Sequence, residues 1–223
     1  MGNRQIRFIE LLLTSGALRF GNFTTKSGRQ SPYFFNSGHF DSGERLGLVA
    51  LLYAELIAEK FGTKVDNLFG PAYKGIPLAV MTSFHLSRLL GRDISFTFNR
   101  KEAKDHGEGG SLIGRAYLGG EKVVVIEDVI TGGTSIHEML PRLKSLKADV
   151  IGVAVGVDRQ EKGTTSQSAL AEVRAQYGVE SVALVTVHDV VEQLYNKIVL
   201  GKIWIDSDAH SRIVAYLEKH GAL

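Results

Sequence analysis

Apolar positions along the chain change period several times, and each change marks an element. From Asn3 to Ser15 the residues Ile6, Ile9, Leu12 and Leu13 recur at helical spacing, with Asn3 as a cap and Gly16 as a stop, which predicts an amphipathic helix. Phe20 to Ser37 mixes Phe23, Tyr33, Phe34 and Phe35 with Gly21, Gly28 and Pro32, a pattern that suits short antiparallel strands. Leu48, Leu51, Leu52, Leu56 and Ile57 predict a long helix over Glu44 to Lys60. From Val65 the pattern becomes strand, Gly/Pro loop, helix, strand.

Core strands are expected at Asn67 to Gly70, Ile94 to Phe98, Val123 to Ile126, Val150 to Val157 and Ser181 to Val187. The segments between them are long enough for helical crossovers, and a last helix is expected over Asp208 to Lys219. The fold class is therefore α/β: a mostly parallel central sheet with helices on both faces, plus a small N-terminal flap. No repeat or linker divides the chain, so residues 1–223 are expected to form one domain, with 1–40 contributing helix and flap. Ligands of such sheets sit beyond the carboxyl ends of the strands. The unusual sequences fall there: Pro71 to Gly75, Asn99-Arg100-Lys101, Glu127 to Ser135, and Asp158-Arg159.

Composition narrows this further. With 44% hydrophobic and 22% charged residues among 223, the chain has the makeup of a globular domain with a substantial core. It contains no cysteine, which excludes a disulfide framework, a thiolate metal site and a cysteine nucleophile, and fits a reducing compartment. No leader pattern and no apolar run near the length of a membrane span are present, so a cytoplasmic protein is expected. A net charge of +2 gives no reason to expect nucleic-acid binding.

The richest chemistry lies in Val123 to Ser135. Four apolar, mostly β-branched residues form a strand buried on both faces, and the acids Glu127 and Asp128 precede a Thr/Gly/Ser loop at a helix start. Thr131, Gly132, Gly133, Thr134 and Ser135 offer sterically open backbone N–H groups and hydroxyls at the positive end of a helix dipole, a setting for phosphate. The carboxylates would repel phosphate. They suit sugar hydroxyls or the waters of a divalent cation. Together these features point to a sugar phosphate. A Walker A lysine and the dinucleotide fingerprint G-x-G-x-x-G are both absent.

Arg100 to Gly110 is polar, cation-rich at one end and glycine-rich at the other, directly after a strand. As a mobile loop, it could bring Arg100, Lys101, Lys104 and His106 over a polyanion and exclude water; the alternative for so charged a segment is a solvated surface hairpin.

The strand, acids and loop of Val123 to Ser135 resemble the 5-phosphoribosyl-1-diphosphate (PRPP) signature of the type I phosphoribosyltransferases. Phe20 to Asn36, with Lys-Ser-Gly-Arg and Ser-Pro-Tyr-Phe at its centre, resembles the flap of orotate phosphoribosyltransferases. With Tyr73-Lys74-Gly75 and the Arg100 to Gly109 run, the likeness extends in order from about residue 1 to beyond 210. It implies the type I phosphoribosyltransferase fold. The implied reaction joins orotate to PRPP with Mg²⁺, giving orotidine 5′-monophosphate and pyrophosphate in pyrimidine synthesis.

The same resemblance assigns roles. Lys26 meets substrate from the flap, and Phe34 and Phe35 wall the pyrimidine. Tyr73 and Lys74 hold the pyrophosphate, and Arg100, Lys101, Lys104 and His106 form a cationic loop that reaches into a partner subunit's site, which implies a homodimer. Glu127, Asp128, Val129, Ile130, Thr131, Gly132, Gly133, Thr134 and Ser135 bind ribose and 5′-phosphate, with Thr131 also near orotate. Arg159 pairs with the orotate carboxylate. Lys104, Glu127 and Asp128 are the expected catalytic groups, and Mg²⁺ arrives on PRPP rather than on a protein metal site. Gly132 and Ser135 depart from the alanines expected at those places. The alternatives are a salvage phosphoribosyltransferase for another base, disfavoured by the flap and Arg159, and a PRPP-sensing regulator, which would need a nucleic-acid-reading module that the sequence lacks. His39, His85, His137, His188, His210 and His220 read as structural or solvated.

Overall fold

The computed structural model describes residues 2–25, 28–104 and 110–222, and for residues 101–104 and 110 the backbone alone. Helix α1 (Asn3–Thr14) is followed by the antiparallel pair β1 (Leu18–Thr24) and β2 (Gln30–Phe35), which forms the expected flap. Helix α2 (Gly43–Phe61) leads into β3 (Asn67–Gly70), α3 (Gly75–Leu90), β4 (Ser95–Lys104) and β5 (Gly110–Gly114). The chain then runs through β6 (Lys122–Ile130), α4 (Thr134–Ser145), β7 (Asp149–Asp158), α5 (Ala169–Tyr177), β8 (Glu180–Thr186) and α6 (Val187–Leu194). A small hairpin, β9 (Ile198–Val199) and β10 (Lys202–Ile203), precedes α7 (Ser207–His220).

The six-stranded sheet has the order β5-β4-β3-β6-β7-β8, parallel except for the antiparallel edge strand β5. Alternation along β6 divides the interior. Val124 and Ile126 pack in a core with α1, α2, α3 and α7, while Val123 and Val125 pack in a second core with Ile136, Leu140 and Leu143 of α4. From neighbours β3 and β6 the chain winds outward in opposite directions. Their carboxyl ends therefore flank the crevice at the topological switch point.

Several boundaries differ from expectation. Gly2, not Asn3, caps α1, and no side chain serves the cap. Strand β6 continues past Ile126 to Ile130 because Glu127, Val129 and Ile130 stay in register with Val155, Val157 and Asp158 of β7. Val187 opens α6 rather than closing β8, since Thr186 and Asp189 form a reciprocal capping box. The backbone from Arg100 to Lys104 is not loop but the outer half of β4, carried out of the sheet as a hairpin with β5. Paired strands need no apolar anchor when the hairpin projects from a sheet that already fixes its base, and this is what hydrophobic periodicity could not register.

Candidate active site

The loop after β3 sets one wall. Gly70 and Gly75 touch so closely that a Cβ on Gly70 would lie 2.2 Å from the Gly75 carbonyl, which folds Pro71 to Lys74 tightly over the start of α3. Asn99 on β4 accepts from the Ala72 N–H at 2.9 Å and pins the turn, whose Ala72–Tyr73 peptide is cis. Tyr73 projects, 67% exposed, and is no core packing residue. Lys74 reaches across the crevice to Asp128 Oδ2 at 3.3 Å and to Asn36 Oδ1 at 3.4 Å.

The loop after β6 sets the opposite wall. Gly133 adopts φ 73° at the N-cap of α4, a left-handed position with Ala169 and His137 pressed against it. No side chain caps α4, so its first N–H groups stay open to an anion. Ser135 Oγ turns back and donates to Glu127 Oε2 at 3.0 Å. Burial, reinforced by the neighbouring Asp128 charge, pushes the Glu127 carboxyl up to about 7. Asp128 accepts a hydrogen bond from Ser37 Oγ, which ties the acid to the turn after the flap.

These walls enclose a cavity of about 520 Å³ that includes Phe34, Phe35, Lys74, Asp128, Val129, Thr131, Gly132, Thr134 and Arg159 of the expected set. Phe34 stacks on Phe23 with centroids 5.4 Å apart, and Phe35 is seated edge-on against Tyr33. Arg159 is buried. Its Nε lies 2.7 Å and its Nη2 2.6 Å from Glu161 Oε1, and its guanidinium carbon stands 4.7 Å from the centre of the Tyr33 ring.

Other expected residues stand elsewhere. Ile130 points into the second core, and its carbonyl accepts from the Arg159 N–H at 3.4 Å. Glu127, Gly133 and Ser135 support the loop from behind rather than lining the cavity, and Tyr73 and Arg100 lie outside its wall. Lys26 and His106, and the side chains of Lys101 and Lys104, lie outside the described residues. None of the six histidines read as structural or solvated lines the cavity.

Arg29, Asn36, Lys162 and Gly163, to which the sequence assigned no role, also line it, and Ser37 and Asn99 hold it in shape. Arg29 had a signal, since it closes the Lys-Ser-Gly-Arg string, and Lys162 follows Arg159 closely. Ser37 and Asn99 had none.

The phosphoribosyl transferase domain matches residues 41–174, from before α2 into α5. The orotate phosphoribosyltransferase of Lachnoclostridium phytofermentans is 47% identical over 215 residues, 96% of each chain. That of Salmonella paratyphi A (strain ATCC 9150 / SARB42) is 46% identical over 218 residues, 97% of this chain and 98% of the other. The crystal structure of the Francisella tularensis orotate phosphoribosyltransferase is similar with a TM-score of 0.80 at 36% identity, over 96% of this chain and 99% of that one. The chain belongs to the orotate phosphoribosyltransferase family. The domain match begins after the flap, but the whole-chain relatives leave too few residues uncovered to omit it. The mostly parallel sheet with helices on both faces is the type I phosphoribosyltransferase fold.

Proposed function

We infer that this enzyme transfers the phosphoribosyl group of PRPP to orotate, giving orotidine 5′-monophosphate and pyrophosphate in pyrimidine biosynthesis. One observation carries the reading. A phosphate-binding loop, an acid with a facing lysine, a flap aromatic and a buried arginine converge on a single cavity of about 520 Å³.

The roles follow from where each group sits. The open N–H groups of Thr131 to Ser135 and the hydroxyls of Thr131 and Thr134 take the 5′-phosphate, and Asp128, with Glu127 behind it, takes the ribose hydroxyls. Lys74, with Tyr73 beside it, takes the diphosphate. The pyrimidine lies against Phe34 and the Phe35 segment near Thr131, and Arg159 meets its carboxylate. Lys26, Arg100, Lys101, Lys104 and His106 close over the polyanion, with Lys104 neutralising the leaving pyrophosphate.

The transfer needs little covalent work from the protein. As pyrophosphate departs, positive charge builds at the anomeric carbon, and the useful effects are alignment of the ring nitrogen, neutralisation of the leaving group and exclusion of water. Orotate ionises at that ring, so no strong base is required.

Among the described residues no three histidines or acids group as a metal cage, and the strand end offers only Glu127 and Asp128. Two carboxylates fit Mg²⁺ that arrives on PRPP with most of its shell supplied by phosphate and water. Bound there, the ion would offset charge on the departing diphosphate.

Residues 1–223 act as one domain, with 1–40 lending helix and flap, in a homodimer whose sites are shared between subunits. Among the described residues no helix is long and apolar enough to cross a membrane, which is compatible with a cytoplasmic enzyme. The test is loss of orotate ultraviolet absorbance with orotate, PRPP and Mg²⁺, run beside uracil, hypoxanthine and adenine. Turnover with another base alone would favour salvage. Tight PRPP binding without turnover would favour a regulator.

A further inference from the structure

Behind the base-binding end of the cavity lies a carboxylate that the reaction as described does not use. The Glu161 side chain is wholly buried, yet it carries two ion pairs. One oxygen faces Arg159 Nε and Nη2, and it also accepts from the Tyr216 hydroxyl at 2.8 Å. The other accepts from Arg29 Nη1 at 3.0 Å. Three parts of the fold therefore meet on one side chain: the end of β7 through Arg159, the flap through Arg29, and α7 through Tyr216.

Electrostatics gives this cluster a direction. Two guanidinium groups face one carboxylate, so the cluster keeps one uncompensated positive charge, and both arginines line the cavity. Without Glu161 the buried Arg159 would face the part-exposed Arg29 with no anion between them, and their repulsion would drive Arg159 from its place over the Tyr33 ring. Glu161 holds the Nε and Nη2 edge of Arg159, with Ser31 Oγ 3.2 Å from the same Nη2. Nη1 takes part in none of these contacts.

We propose that Glu161 is a positioning residue for orotate recognition. It orients Arg159, leaves one net positive charge toward the cavity for the substrate carboxylate, and joins that arginine to the flap through Arg29. The proposal rests on Arg159 as the orotate ligand. It makes preference for a carboxylate-bearing pyrimidine a property of the whole cluster, because a base without the carboxylate would leave the positive charge facing the cavity without its partner.

The decisive experiment is a double-mutant cycle of Glu161→Gln and Arg159→Gln, with KM for orotate and for PRPP, kcat, and the melting temperature measured on each. Glu161→Gln should raise the orotate KM about 10- to 100-fold, the scale of one charge-assisted interaction, while the PRPP KM stays within about twofold. The preference for orotate over uracil should fall with it. Glu161→Asp, which restores the charge, should recover part of the orotate KM. In the Arg159→Gln background the Glu161 change should have little further effect on orotate KM.

Parallel rises in both KM values, or full additivity of the two changes, would overturn the proposal. If Arg159→Gln alone leaves the orotate KM unchanged, the assignment of Arg159 fails, separately from that of Glu161. Tyr216→Phe keeps the shape and removes, from outside the cavity, the hydrogen bond to Glu161 together with the longer one accepted from Arg159 Nη2 at 3.4 Å, so it carries the test of the cluster should Glu161→Gln not fold. It should raise the orotate KM about 2- to 10-fold with PRPP unaffected, and no selective rise would count against the proposal.

Discussion

Ser135 Oγ donates to Glu127 Oε2 across 3.0 Å, so the first turn of α4 and the last residues of β6 are joined by one hydrogen bond. The carboxyl that accepts it is raised from 4.5 to about 7 by burial and by Asp128, while the Ser135 bond holds it lower than it would otherwise be. The folded protein therefore keeps a proton that the unfolded chain releases. The stability this brings is complete below the ordinary carboxyl value and is lost as the pH rises through about 7. Glu127→Gln should flatten that decline. Urea unfolding on either side of the window should show the parent losing of the order of 2 kcal/mol more than the variant.

Ser135→Ala removes a donor to the charged form, so Glu127 should titrate higher still. The acidic limb of the kcat/KM profile for PRPP is then expected to move to higher pH. An unmoved limb would show that Glu127 ionisation does not govern PRPP use.

The two loop glycines should separate cleanly. Gly133 has φ 73° and would press a Cβ to 3.2 Å from Ala169, whereas nothing lies within 4 Å of a Cβ on Gly132. Gly133→Ala should cost about 1–2 kcal/mol of stability and weaken PRPP binding. Gly132→Ala should stay within about 0.5 kcal/mol of the parent, as befits a place where the family resemblance implies alanine. Thermal melts with and without PRPP check both.

Lys74 is half exposed and spans the crevice to Asp128 at 3.3 Å. Its loss should change stability by less than about 0.5 kcal/mol, since an exposed pair contributes little. The kcat/KM for PRPP should nevertheless fall about tenfold or more, because the charge is opposed by a diphosphate during turnover. Equal thermal melts beside unequal kinetics would separate the two roles.

A shared site predicts recovery on mixing. Lys104→Ala and Asp128→Asn homodimers should each be nearly inactive, and subunit exchange between them should restore part of the activity, since one site of the mixed dimer would keep both groups. No recovery after verified exchange would place Lys104 in its own subunit's site. In the Lys104→Ala enzyme kcat should fall far more than orotate affinity.

Hydrophobic periodicity, with crossover lengths and the Gly and Pro punctuation of the flap, determined the parallel strands, the helices between them and the flap, because a strand buried on both faces and an amphipathic helix each write their burial into neighbouring residues. The Thr131 to Ser135 loop was equally legible, because a phosphate site built from one strand, one turn and one helix start is local in sequence. The pairing of β4 with β5 was legible only as an alternative to a mobile loop, since it satisfies backbone groups and asks nothing periodic of its side chains. Nor could any local pattern bring Ser37 to Asp128, Asn99 to Ala72, or Arg29 and Tyr216 to Glu161. Each of these pairs joins segments made neighbours only by sheet order and helix packing. A buried glutamate between two arginines reads as an ordinary surface charge until the fold removes its water.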